Sequence, residues 1–202
     1  GHCHHQVHGL MADPSYIVNG VLTDGEAWVA LQSDEISPAA VVEWTSTNDG
    51  QVGDWSQYMD LVIIGYGRTD VASTSSSAIM HFNNDTATNY EQQYLYGDGS
   101  STGAAAASTS YIYVGWQTGA SSGANQYSSS VNHIYDINSG KYKSVLGQSA
   151  DDHDGSGYAV LFAHTWESQA PITEIDITGW GGVNFVAGSR FDLFGILPRM
   201  VA

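Results

Sequence analysis

The sequence predicts an all-β protein: a jelly-roll-like antiparallel β-sandwich of about ten strands, with one short N-terminal helix. Two observations carry this expectation. Short runs of alternating apolar residues recur along the 202 residues, separated by Gly, Ser, Asn and Asp. Pro is confined to positions 14, 38, 171 and 198, so almost every run is free of a residue that would interrupt a sheet ladder.

The elements follow in order. Thr23-Asp-Gly-Glu26 has capping-box spacing, and Ala27-Trp-Val-Ala-Leu31 follows it, which predicts the short helix with Trp28 and Leu31 on its buried face. Strands are expected at Val41–Thr47, Tyr58–Arg68, Ala78–Asn83, Tyr90–Tyr96 and Tyr111–Gln117. Five more are expected at Val131–Ile137, Lys141–Leu146, Tyr158–Trp166, Ile172–Thr178 and Ser189–Ile196. Leu61-Val-Ile-Ile64 is a continuous apolar run, the signature of a central strand covered on both faces. Ser100–Ser110 and Gly119–Ser130 are Ser-, Gly- and Ala-rich and read as long loops around the Tyr111–Gln117 strand. The last strand is expected to pair with Ile172–Thr178, with Ile175, Ile177, Phe191 and Leu193 facing the core.

The length suits one domain, 13–202, preceded by a histidine-rich extension or tag over 1–12. Met11-Ala-Asp-Pro14 looks like a natural translation start, so residues 1–10 read equally as a purification leader and as a native extension. Lys and Arg number 5 against 21 Asp and Glu, a formal charge of −16. Such acidity argues against phosphate backbones and anionic membrane surfaces as partners. It favours solubility, including in crowded repetitive assemblies. Cys3 is the only cysteine, so no intrachain disulfide can form. No apolar run reaches the length of a transmembrane helix.

Several clusters bear chemistry. Gly1-His-Cys-His-His-Gln-Val-His-Gly9 places His2, His4, His5 and His8 around Cys3, all good ligands for a transition metal. In an extended segment His2 and His4 point the same way, so three parallel chains on a threefold axis would hold one ion. Asp151-Asp-His-Asp154 is either a calcium loop or a solvated acidic turn; it lacks the spaced register of the former. Asp85, Glu91 and Asp98 lie near His81 in sequence, but nothing selects a pair of carboxylates for hydrolysis. No Gly-x-Ser-x-Gly elbow, phosphate loop or dinucleotide fingerprint occurs, so the chain reads as non-enzymatic. Six Trp and 12 Tyr are many for this length. Tyr94, Tyr96, Tyr111, Tyr113 and Trp116 fall in neighbouring strands and are the candidate ligand-binding residues, with core or subunit packing as the other reading.

An ordered series of motifs runs from Leu61-Val-Ile-Ile-Gly-Tyr-Gly-Arg68 through His81-Phe-Asn-Asn-Asp-Thr-Ala-Thr-Asn-Tyr90 and Tyr94-Leu-Tyr-Gly-Asp-Gly99. It continues through Ile134-Tyr-Asp-Ile-Asn138, Trp166 and Ile172-Thr-Glu-Ile-Asp-Ile177 to Asn184-Phe-Val-Ala-Gly-Ser-Arg-Phe-Asp-Leu-Phe-Gly-Ile196. Over residues 55–197 this resembles a β-sandwich family of tailed-bacteriophage virion proteins that ends on an "NF-x-x-GS-x-F-x-LYGI" signature. Phe194 stands where that family usually has Tyr. The resemblance implies a virion structural protein: a capsid decoration protein, head fibre or tail appendage. It implies homo-oligomeric contacts, a homotrimer first among them, and other capsid or tail proteins as partners. A receptor- or carbohydrate-binding module of a phage adhesin is the alternative. The resemblance carries no catalytic residues and no cofactor.

Overall fold

The computed structural model describes residues 17–18, 21–22, 28–37, 41–46, 53–153 and 155–197. His2, Cys3, His4, His5 and His8 lie outside them, as does the Thr23–Glu26 capping box. The strands are β1 (Ile17–Val18), β2 (Val21–Leu22), β3 (Trp28–Glu35), β4 (Val41–Thr45), β5 (Asp60–Gly67), β6 (Ser75–Phe82) and β7 (Tyr90–Gly97). They continue with β8 (Thr102–Thr109), β9 (Ile112–Thr118), β10 (Ser128–Tyr135), β11 (Lys143–Asp152), β12 (Gly157–Trp166), β13 (Glu174–Gly179) and β14 (Arg190–Ile196). β1 and β2 form a small ribbon. The others form two antiparallel sheets, with eight strands in the order β3-β14-β5-β10-β11-β12-β7-β8 facing four in the order β4-β13-β6-β9. The chain crosses repeatedly from one sheet to the other, the jelly-roll-like interleaving expected of the sequence.

The core fills the space between the sheets. Leu61, Ile63, Ile134, Phe191 and Leu193 come from the large sheet, and Trp44, Met80, Phe82, Ile112, Ile175 and Ile177 from the small one. The period-2 pattern of each strand sends these residues inward. β5 lies between β14 and β10, and Val62, on the face opposite Leu61 and Ile63, is buried as well. The Leu61–Ile64 run is therefore an inner strand covered on both sides.

Three sequence expectations change. Trp28–Leu31, expected as helix, begins β3, with Trp28, Val29 and Ala30 opposite Ile196, Gly195 and Phe194 of β14 and a register shift at Leu31. Trp28 is half exposed and meets Phe194 at a ring separation of 6.0 Å. A free edge on β14 offers this segment a full ladder of backbone hydrogen bonds, which outweighs a local helix signal. Second, β14 does not pair with β13. It lies between β3 and β5, and β13 lies in the opposite sheet between β4 and β6. Ile175, Ile177, Phe191 and Leu193 do face the core, from opposite sides of it. A 3₁₀ turn at Trp180–Gly182 begins the crossing, and Gly181 and Gly182 (φ 75° and 79°) take backbone conformations that other residues rarely adopt. Third, Ser100–Ser110 is largely the strand β8, in register with β7 from Tyr90↔Thr109 to Gly97↔Thr102. It shows no apolar alternation because it is the outermost strand of its sheet.

The connections are tied down by buried polar groups. The Arg68 guanidinium donates to the carbonyls of Ala120, Ser122, Gly123 and Gln126, fixing the 119–127 loop. The fully buried Lys143 ammonium donates to the carbonyls of Ser139, Lys141 and Ser168. Between β6 and β7, Asn83 and Asn84 both have positive φ, and the Tyr90 hydroxyl accepts from Phe82 N–H and donates to the Asp85 carbonyl. The Asp85 carboxylate accepts from Ala87 N–H, Asn89 Nδ2 and Trp166 Nε1 at 2.8–3.0 Å. Burial works to raise its pKa, but these bonds hold it below the usual range.

Candidate functional site

The small sheet ends at β9, which packs over β10, β11 and β12, while the large sheet continues through β7 to β8. This leaves a ledge beyond β9. Aromatic side chains from both sheets fill it. Tyr94 meets Tyr113 and Trp116 at ring separations of 6.0 and 6.1 Å, and Tyr96 meets Trp116 at 5.3 Å. Tyr111 meets Tyr113 at 5.2 Å. All five candidate ligand-binding residues of the sequence therefore form one half-buried cluster. Tyr158, Phe162 and His164 of β12 complete it, with Trp116 and Tyr158 edge-to-face at 4.3 Å. These three were legible only as alternate positions of one strand, because their approach to β9 depends on how the sheets stack. Each ring pair contributes about 0.5–1.5 kcal/mol beyond its burial. Gly103 of β8 is part of the arrangement: a Cβ there would lie 2.6 Å from the Tyr96 ring.

Polar groups are trapped beneath the rings. His164 is 3% exposed, and neither ring nitrogen has a hydrogen-bond partner. Burial pushes its pKa down to about 4, so it is neutral at physiological pH. Burial likewise raises the Tyr113 hydroxyl well above the ordinary tyrosine value, and its hydrogen bond with Tyr111 adds to this. His164 packs against the Tyr113 and Phe162 rings at 6.4 and 5.8 Å.

On the other side of Trp116 lies an open groove of about 430 Å³, lined by Ser75, Ser76, Ser77, Trp116, Tyr158 and Trp180 together with Val71, Gly181 and Val183. Ser77 of β6 pairs with Trp116 of β9, which puts Ser77 on the same face as that ring. Trp180 stands on the 3₁₀ turn and is 54% exposed.

The remaining candidates sort differently. In the acidic turn Asp151 is buried, lies 2.7 Å from His153 Nε2, and accepts from Tyr158 N–H at 2.8 Å. Burial raises its pKa, and His153 offsets part of the rise. Its oxygens are engaged within the fold, unlike those of a calcium loop; Asp154 lies outside the described residues. Asp85 and Asp98 sit at opposite ends of β7, roughly 25 Å apart along a strand of that length. Asp98 caps its turn by accepting from Ser100 and Ser101 N–H, which hold it far below the usual carboxylate range. Glu91 accepts from Ser108 Oγ across β7 and β8 at 2.7 Å. These carboxylates do not converge. Among the described residues the one acidic triad is Glu43, Glu174 and Asp176, on β4 and β13, with oxygens within 4.8 Å of one another. Strand pairing assembles it, and Asn84 Nδ2 donates to Glu174. Burial, then the charges of Glu174 and Glu43, raise Asp176.

The chain matches no protein-family model, no curated protein and no solved structure.

Proposed function

We propose that this chain is a non-enzymatic structural protein of a tailed-bacteriophage virion, assembling on the particle as a homotrimer that decorates the capsid or forms a head fibre or tail appendage. The observation that carries the assembly is the outer face of the eight-stranded sheet. Two neighbouring rows cross it: Ile64–Val131–Gln148–Leu161–Leu95–Ala104 and Val62–His133–Leu146–Ala163–Gln93–Ala106. Leu95, Leu146 and Leu161 are 57%, 46% and 43% exposed on it. From β5 to β8 neither row contains an acid, a lysine or an arginine, although the chain carries −16; Asp192 of β14 ends the first row beside Ile64. Contiguous apolar surface of this kind marks a protein–protein contact. A patch free of charge is also where copies of so acidic a chain approach with least repulsion. The face ends at β8, an edge strand without a charge, a proline or a bulge. The virion assignment rests on the ordered motifs, and those positions serve the fold: Asn83, Asp85, Tyr90 and Asn184 spend their polar groups on turns and latches.

Partners are further copies of the chain and other capsid or tail proteins, with no role for nucleic acid or membrane. Light scattering at micromolar concentration should give three times the chain mass, and Leu95→Glu with Leu161→Glu should reduce it to one. A monomeric wild-type protein would remove the assembly argument. Gold-labelled antibody on intact particles tests the virion assignment, and label absent from the particle would end it. The aromatic groove favours a second reading, a receptor- or carbohydrate-binding module of an adhesin.

A further inference from the structure

We infer that the groove between Trp116, Tyr158 and Trp180 is a binding site for a neutral saccharide, with Ser77 on its polar floor. The inference deepens the second reading above and does not depend on the trimer or on the virion.

The chemistry of the lining points to this ligand class. A pyranose ring has an apolar C–H face and a polar rim of hydroxyls. It is held by aromatic faces with hydroxyl and N–H groups beside them. The groove supplies both. Trp116, Tyr158 and Trp180 line it, and Ser77 Oγ, the Tyr158 hydroxyl and both indole N–H groups have no hydrogen-bond partner among the described residues. Its volume, about 430 Å³, is within the range of small-ligand sites, roughly 300–1,000 Å³.

The walls differ in how they are held. Trp116 is braced by Tyr158 at 4.3 Å and Tyr96 at 5.3 Å, so it needs no ordering when a ligand arrives. Trp180 is presented on the opposite side by a turn that two positive-φ glycines shape, and it adds little to the core. No acid, lysine or arginine lines the groove. An anionic glycan would find no cation there and would be repelled by the chain as a whole, so the ligand is uncharged.

The test is affinity electrophoresis of the purified chain in gels containing a neutral glucan, mannan or galactan, with alginate as the anionic comparison. At least one neutral polymer should retard the wild type. Trp180→Ala should weaken that retardation at least about tenfold, equivalent to ~1.4 kcal/mol. Trp28→Ala, which removes a similarly exposed tryptophan on β3, should leave it unchanged. Near-UV circular dichroism checks that both variants keep the native fold. Migration unaffected by all three neutral polymers, retardation by alginate alone, or equal retardation of Trp180→Ala and wild type would each overturn the inference. Particle labelling reads the virion assignment separately, so either proposal can fail without the other.

Discussion

His164 makes stability depend on pH between the ordinary carboxylate and histidine ranges. Its pKa is about 4 in the folded chain against 6.5 for an ordinary histidine. The unfolded state therefore binds a proton as the pH falls through 6.5, and the folded state does so only near 4. Between these values unfolding takes up a proton, and stability drops as the solution becomes more acidic. The depression of 2.5 units corresponds to about 3 kcal/mol, of which about 2 kcal/mol is lost by pH 5. Asp85 and Asp98, whose folded pKa values are lowered, lose their stabilising bonds only as the pH falls below about 4, so the two effects separate. The assay is urea unfolding at pH 7.5, 6, 5 and 4.5 for wild type and His164→Leu. Leucine fills the site and leaves no orphaned ring nitrogen, so the variant should match or exceed wild type at pH 7.5. It should also lose about 2 kcal/mol less than wild type by pH 5, while His81, whose pKa burial also lowers, titrates in both proteins. Parallel pH profiles for the two proteins would refute the assignment of a buried, unpartnered imidazole.

Arg68→Ala should lower stability by about 3 kcal/mol, because four carbonyls of the 119–127 loop lose their charged donor together. Limited proteolysis should then cut within that loop, and a wild-type digestion pattern would contradict the anchoring role. Tyr90→Phe should cost about 1–3 kcal/mol in denaturant melts, since Phe82 N–H is left buried without an acceptor. A change well under 1 kcal/mol would mean that the latch between β6 and β7 contributes little.

Periodicity made ten strands and the core-facing residues of β5, β13 and β14 legible, because burial on one face imprints period 2 on the sequence. It failed where neither face imposes a pattern. β8 is made of small residues throughout, since an edge strand lying under tyrosine rings on one side and open on the other selects for size rather than hydrophobicity. Trp28–Leu31 failed for the opposite reason: a local capping signal competed with a partner strand more than 150 residues away. The aromatic cluster was half legible. Tyr94, Tyr96, Tyr111, Tyr113 and Trp116 are close in sequence, but Tyr158 and Trp180 reach the same region only through sheet stacking and a crossover turn. The acidic triad and the carbonyl cradles of Arg68 and Lys143 depend on pairings that no local pattern records.

The cradled cations have a consequence for the exterior. Of the four lysines and arginines among the described residues, Arg68 and Lys143 are withdrawn into the fold, leaving Lys141 and Arg190 beside described acids of which only Asp60 and Asp151 are buried. The chain thus spends much of its scarce positive charge holding its own loops. Copies brought side by side would have few cross-subunit ion pairs to offset their mutual repulsion. Their association should then tighten as salt is added, as the Debye length shrinks from about 30 Å at 0.01 M to about 8 Å at 0.15 M. In dilute buffer the same surface would keep the copies apart, so the ionic strength of the medium would itself act as an assembly signal.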